Sequence, residues 1–235
     1  MITLIGIGHV FDISQQVRNV ILETKPQAVC VELDKYRYMA LSAKTQGTDS
    51  PFIYQLLARF QKRIAGQYGV AVGNEMLTAT DTARMIGAKV YLIDMDAQQL
   101  FKKMWHSMSF LSKLKFFFGS ITSLFISKKR VESELKRFDE NSEEYLKDIE
   151  EHFPVVSDHL IEQRNDFMAR KVVNISKKYE DVAVFIGDGH VPGILKRLNK
   201  NEISTKVIRL RDLRKQGTFT SEADNKEVCY SFSST

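Results

Sequence analysis

Two histidines stand in the same local pattern near opposite ends of the chain. Residues 4–10 read Leu-Ile-Gly-Ile-Gly-His-Val, and residues 184–191 read Val-Phe-Ile-Gly-Asp-Gly-His-Val. Gly6, Gly8, His9 and Val10 align with Gly187, Gly189, His190 and Val191. Each copy follows an apolar run and precedes a helical pattern and a second apolar run, the mark of a duplicated half. A single histidine after a strand is most often a helix cap or a surface residue. The repetition is what sets these two apart. Their glycines permit a tight turn and a close backbone approach. The third glycine of a dinucleotide fingerprint is missing, so a Rossmann cofactor site is not expected.

The chemistry this pattern suits is that of a divalent metal. Glu32 closes the apolar run at 28–33, and Asp94 follows the run at 89–93. In a parallel sheet both would reach the carboxyl edge, where the two Gly-x-Gly-His turns also end and where such sheets bind ligands. Two imidazoles with nearby carboxylates form a ligand set that leaves a coordination position open. Of the two cysteines, Cys30 lies in an apolar run and Cys229 in a polar tail. They make neither a disulfide framework nor a thiolate zinc site. Imidazole and carboxylate must therefore hold any metal, and a reducing compartment is the default.

The elements that would position these groups follow from periodicity. Runs at 2–7, 28–33, 89–93, 182–186 and 206–210 read as strands, and 13–23 and 74–86 as helices. Helices are also expected within 34–66, broken near Gly47–Pro51, and over 97–118 and 131–178, with breaks near Gly119 and Pro154. Pro26 stops the first helix, and Pro192 suits the first turn of the last. The expected fold class is α/β (α+β): a central mixed, largely parallel sheet from two βαβ-like halves with a large helical insertion. A single domain over 1–215, its insertion or lid at about 97–178, would end in a polar tail at 216–235. Core plus helical lid is the two-domain alternative.

With 235 residues, 43% apolar, 12 Gly and 4 Pro, the chain is of ordinary globular composition. Disordered, collagen-like and low-complexity classes are excluded. The net charge of +5 is segmental. Seven basic residues and no acid lie between Asp96 and Glu132, whereas nine acids face three bases from Glu132 to Glu151. No nucleic-acid motif accompanies the lysines, so no nucleic-acid partner is expected. Phe101, Trp105, Phe110, Leu111, Leu114, Phe117 and Phe118 fall mostly at helical spacing between lysines. This is either a core-facing helix with a solvated basic side, or a lid or peripheral membrane contact through 97–130. No secretory signal or run of 18 apolar residues is evident, so a cytoplasmic protein is expected, membrane-associated in the alternative reading.

The motifs resemble those of the TraB/PrgY family, in a superfamily with the TIKI (GumN-like) and, distantly, the erythromycin-esterase-like proteins. Gly6, Gly8, His9, Val10 and Ser14, then Pro26, Val29, Val31, Glu32, Leu33, Asp34 and Arg37, resemble its opening. Gly73, Asn74, Glu75 and Met76 resemble its second acidic motif, and Asp94, Asp96 and Trp105 its next block. Arg164, Asn165, Met168 and Ala169 resemble its Arg-Asn helix, and residues 186–194 its closing Gly-x-x-His motif. Glycine and isoleucine stand where the opening often has threonine and alanine. The hydrophobic C-terminal segments of some members have no counterpart here.

The resemblance implies a metal-dependent hydrolase, peptidase-like in the TIKI branch, acting on a peptide or protein substrate. His9 and His190 would be metal ligands, and Glu32 a ligand or the general base. Glu75 would be a second acidic candidate, and Arg164 would orient a carboxylate or stabilise an oxyanion. The cofactor would be a divalent ion, Mn, Co or Zn. The TraB/PrgY branch is linked to inhibition of peptide pheromones, so a protein that sequesters a peptide without cutting it is the competing reading. A homodimer is a further partner expectation.

Overall fold

The computed structural model describes residues 1–8, 12–43, 73–113, 133, 137 and 142–215. His9, the expected helices within 44–66 and around 114–132, and the 216–235 tail lie outside the described residues. Five strands form one sheet: β1 (Ile2–Ile7), β2 (Ala28–Val31), β3 (Lys89–Leu92), β4 (Val182–Gly187) and β5 (Thr205–Ile208). Their order is β3-β2-β4-β1-β5, and every neighbouring pair is parallel. The expected sheet was mixed but largely parallel. The described one is parallel throughout, because helical crossovers return the chain to the same starting edge.

The helices are α1 (Ser14–Thr24), α2 (Lys35–Ser42), α3 (Asn74–Met85), α4 (Ala97–Ser107), α5 (Ser142–His152), α6 (Pro154–Ser157), α7 (Gln163–Ser176) and α8 (Val191–Lys200). Local chemistry sets their ends. Lys25 caps α1 in the left-handed region at φ 43°, donates its N–H to Ile21 O, and is followed by Pro26. Asp34 caps α2 by accepting from Arg37 N at 2.9 Å, and Asp96 caps α4 by accepting from Gln99 N at 3.0 Å. Pro154 opens α6, at the expected break. A π turn over Asp158–Glu162 then runs directly into α7.

Both faces of the sheet are covered, which explains why its central strands read as nearly continuous apolar runs. On one face Ile5, Ile7, Val29, Val31 and Phe185 pack against Val17 and Ile21 of α1 and Met76 and Ala79 of α3. On the other, Leu4, Cys30, Val184 and Ile186 meet Met168 and Val172 of α7 and Ile194 and Leu198 of α8. The two copies of the repeat are neighbours: Gly6 pairs with Ile186 and Ile7 with Gly187. The last strand stops earlier than its apolar run implies, because Leu210 N donates to Asp188 Oδ1 at 2.9 Å instead of extending the ladder.

In α4, Leu100 and Met104 are buried, and the Lys113 ammonium lies over the Trp105 ring. Phe110 and Leu111 beyond it are exposed. Among the described residues no helix is long and apolar enough to cross a membrane.

Candidate functional site

The carboxyl edge of the sheet carries a buried group of charges assembled from four elements. Glu32 leaves β2 with its backbone N–H bonded to Phe185 O at 3.0 Å, so it is seated beside the end of β4. Its Oε2 accepts the Gly187 N–H at 2.6 Å, and its Oε1 pairs with Arg164 Nη2. Asp94, just past β3, receives Arg164 Nε at 3.0 Å on one oxygen and Nη2 at 2.7 Å on the other. Arg37 binds the same carboxylate through Nη2 and reaches Asp34 through Nε at 2.8 Å. Glu32 could have paired with Arg37 one turn on. Instead the two aspartates take the Arg37 guanidinium, whose Nη2 lies 3.4 Å from the Glu32 carbonyl.

The protonation logic is set by burial and pairing together. Burial opposes the charge on Arg164, but Glu32 and Asp94 outweigh it and hold its pKa above the ordinary value. Burial likewise opposes the charge on Arg37, and Asp94, Glu32 and Asp34 more than offset it against the like charge of Arg164. Both guanidiniums are therefore fixed cations. Counted by formal charge, three carboxylates (Glu32, Asp34 and Asp94) face these two guanidiniums, one more acid than base.

His190 enters from the 3₁₀ turn Asp188–His190 that follows β4 and is buried. Its Nδ1 lies 2.8 Å from Asn165 Oδ1, which can only accept, so Nδ1 carries a proton. Nε2 is then directed to Glu32 Oε1 at 3.5 Å. A histidine with one ring nitrogen fixed by a neighbouring oxygen is the form in which imidazole binds metal. Arg164 and Asn165 sit immediately after the π turn, and turns of this kind are frequent at functional sites. Gly193 makes room for Asn165, since a Cβ there would overlap Asn165 Nδ2.

The turn that carries His190 is braced from behind. Asp188 is buried and accepts Arg209 Nε at 2.9 Å and Nη2 at 2.6 Å as well as the Leu210 N–H. Gly6 is required by this brace: a Cβ at Gly6 would overlap Asp188 Oδ1. Close approach, not an unusual turn, is thus the reason for that glycine.

Of the residues singled out from sequence, Glu32, Arg164 and His190 are brought together. Asp94 joins them, and Asp96 serves only as a cap. Glu75 is buried in the first turn of α3 at the same end of the sheet. Among the described residues there is no set of three or more His, Cys, Asp and Glu placed to hold a metal. The fit to a divalent ion therefore rests on a two-donor core, His190 Nε2 and Glu32, with a correctly oriented imidazole. Asn165, Asp188 and Arg209 carried no assigned role in sequence. Only the position of Asn165 beside Arg164 signalled one.

Comparison with known proteins places the chain in a family. The model of the TraB/PrgY/gumN family matches residues 1–206. The chain belongs to this family. The uncharacterized protein MJ1365 of Methanocaldococcus jannaschii is 30% identical over 214 residues, covering 86% of this chain and 54% of that protein. The chain thus spans about half the length of that relative. The family match runs from β1 to the middle of β5 and includes every residue of the Glu32–Arg164–Asp94–His190 group.

Proposed function

We propose that the chain is a metal-dependent hydrolase acting on peptide bonds, with His190, Glu32 and His9 as the groups that hold the ion. The observation that carries this reading is the convergence of an oriented imidazole and a buried carboxylate, His190 Nε2 and Glu32 Oε1, at 3.5 Å on the ligand edge of the sheet. A divalent cation bound there would supply Lewis acidity and lower the pKa of water. Asn165 fixes the His190 ring. Arg164 directs four of its N–H bonds at Asp94, Glu32 and Leu160 O. Such an arginine is suited to orienting the Glu32 carboxylate more than to meeting an oxyanion. Glu32, where it does not ligate the ion, or Glu75 would accept a proton from the attacking water and pass it to the leaving amine. Glu75 is a second acid at the same edge.

The test is a titration of untagged, chelator-stripped protein with Mn²⁺, Co²⁺ and Zn²⁺ by calorimetry, and by the Mn²⁺ spin resonance signal. Wild type binds one ion, and His9→Ala and His190→Ala each lose it. Equal binding by wild type and the double mutant would remove the metal reading. The ion pair between Arg164 and Glu32 favours one competing reading, because a carboxylate so held is also suited to tight binding without cleavage. In that case peptide binding survives chelator, and mass spectrometry recovers the peptide intact.

A further inference from the structure

Beside the charge group runs a groove of about 1530 Å³ between α7, α8 and α5. It is larger than the usual 300–1,000 Å³ of a small-molecule site, which suits a length of chain. Its floor is apolar and half-buried, with Ile161, Val173, Leu195 and Val207. Its rim carries Lys147, Arg170, Lys196 and Lys200, all exposed and, among the described residues, without an ion-pair partner. The groove's other arginines are satisfied: Arg197 by Glu162 and Asp166, and Arg209 by Asp188. Only Glu150 remains as an unpaired carboxylate against those four cations. Gly189 and Asn165 line the groove, and Asn165 holds His190, so it opens beside the candidate ligands.

We infer that this groove binds the substrate on one side of the reacting bond and selects an acidic peptide, with carboxylates on the rim and apolar side chains on the floor. This rests on the peptide-hydrolase reading and adds the substrate class. The rim cations stand over apolar residues, and Asn174 and Asn199 add amides that can both donate to and accept from a peptide backbone. A nucleic acid is disfavoured, because among the described residues no aromatic side chain lines the groove to stack a base, and three carboxylates share the lining. Lys196 and Lys200 are one helical turn apart and present their charges on one side of α8.

The test is binding by fluorescence anisotropy in low salt, on chelator-treated full-length protein. The probes are labelled peptides of alternating Glu and Leu, and of Gln and Leu. The Glu–Leu peptide binds about tenfold tighter, as two or three exposed charge pairs would give. Lys196→Glu with Lys200→Glu removes that preference, Lys196→Arg with Lys200→Arg keeps it, and Lys177→Glu with Lys178→Glu, outside the groove, leaves it intact. Circular dichroism and a melting curve establish that the variants are folded. Equal affinity for the two peptides, a preference that survives the 196/200 reversal, or tighter binding of a single-stranded oligonucleotide overturns the proposal. Failure of the hydrolase reading looks different: acidic-peptide preference persists while metal binding at His190 is absent.

Discussion

Arg164→Met isolates the physics of the charge group. The substitution keeps much of the apolar stem and removes the cation shared by Glu32 and Asp94, whose side chains are 6% and 2% exposed. Breaking a buried pair by deleting one partner costs about 3–5 kcal/mol, because the other charge is left uncompensated. Two features place this case at the lower end. Glu32 keeps the Gly187 N–H, and Asp94 keeps Arg37 and the Met95 N–H at 2.7 Å. The expected loss is about 3 kcal/mol, which at an m-value of about 2–3 kcal/mol/M moves the urea midpoint down by roughly 1 M. The measurement is urea unfolding in chelator at neutral pH, followed by far-ultraviolet circular dichroism. Adding Glu32→Gln removes one stranded charge while leaving an oxygen for Gly187. The double variant is therefore more stable than Arg164→Met alone, with a coupling of about 1–2 kcal/mol. A midpoint shift below about 0.3 M with m unchanged, or a Glu32→Gln change that simply adds to the loss, would refute the reasoning.

The same substitution acts in the opposite direction on metal. Without Arg164 the inner group carries one more negative charge and Glu32 loses its cationic partner, so calorimetry gives tighter Mn²⁺ binding than wild type. Asn165→Ala frees the His190 ring and lowers metal affinity about 10–100-fold, as loss of an outer hydrogen bond does, whereas Asn165→Asp preserves it. Gly6→Ala drives a Cβ into Asp188 and costs about 1–3 kcal/mol by thermal melting. Gly87→Ala, at φ +78° with open space around it, costs about 1–2 kcal/mol through the backbone alone. Burial pushes the Cys30 thiol well above its ordinary pKa, so iodoacetamide leaves the Cys30 peptide unlabelled until the chain is unfolded.

The fold was legible because burial writes itself into local patterns. The runs at 2–7, 28–33 and 182–186 are buried at every position and mostly apolar since both sheet faces are covered, and they contain β1, β2 and β4. The strands of the two repeat copies are neighbours in the sheet, which gives them the same burial and the same apolar pattern. What could not be read was pairing across distance. Asp94 and Arg164 are 70 residues apart, and their bidentate contact depends on the order β3-β2-β4 together with the π turn before α7. No periodicity encodes either. The reason for Gly6 was hidden too, because the atom it must avoid belongs to Asp188, on the neighbouring strand's exit.

Charge shows the same contrast between order along the chain and order in space. The acid-free stretch before Glu132 dominates the sequence profile. The cations of the groove do not come from it. Lys147, Arg170, Lys196 and Lys200 are scattered over three helices, and each lies in a stretch that also holds acids or neutral residues. The fold sorts them: Glu162 and Asp166 are spent on Arg197, and Asp188 on Arg209. Of the groove's own cations, the four left over stand along its rim. A net charge of +5 therefore says little about this protein until the neutralised pairs are removed. Once they are, positive charge stands in the groove and negative charge in the inner group beside it. That separation would hold a carboxylate-rich chain along the rim, and it would keep the chain's own acids from competing with Glu32 for a cation. Because the rim charges are exposed and the inner ones buried, salt weakens the first interaction far more than the second.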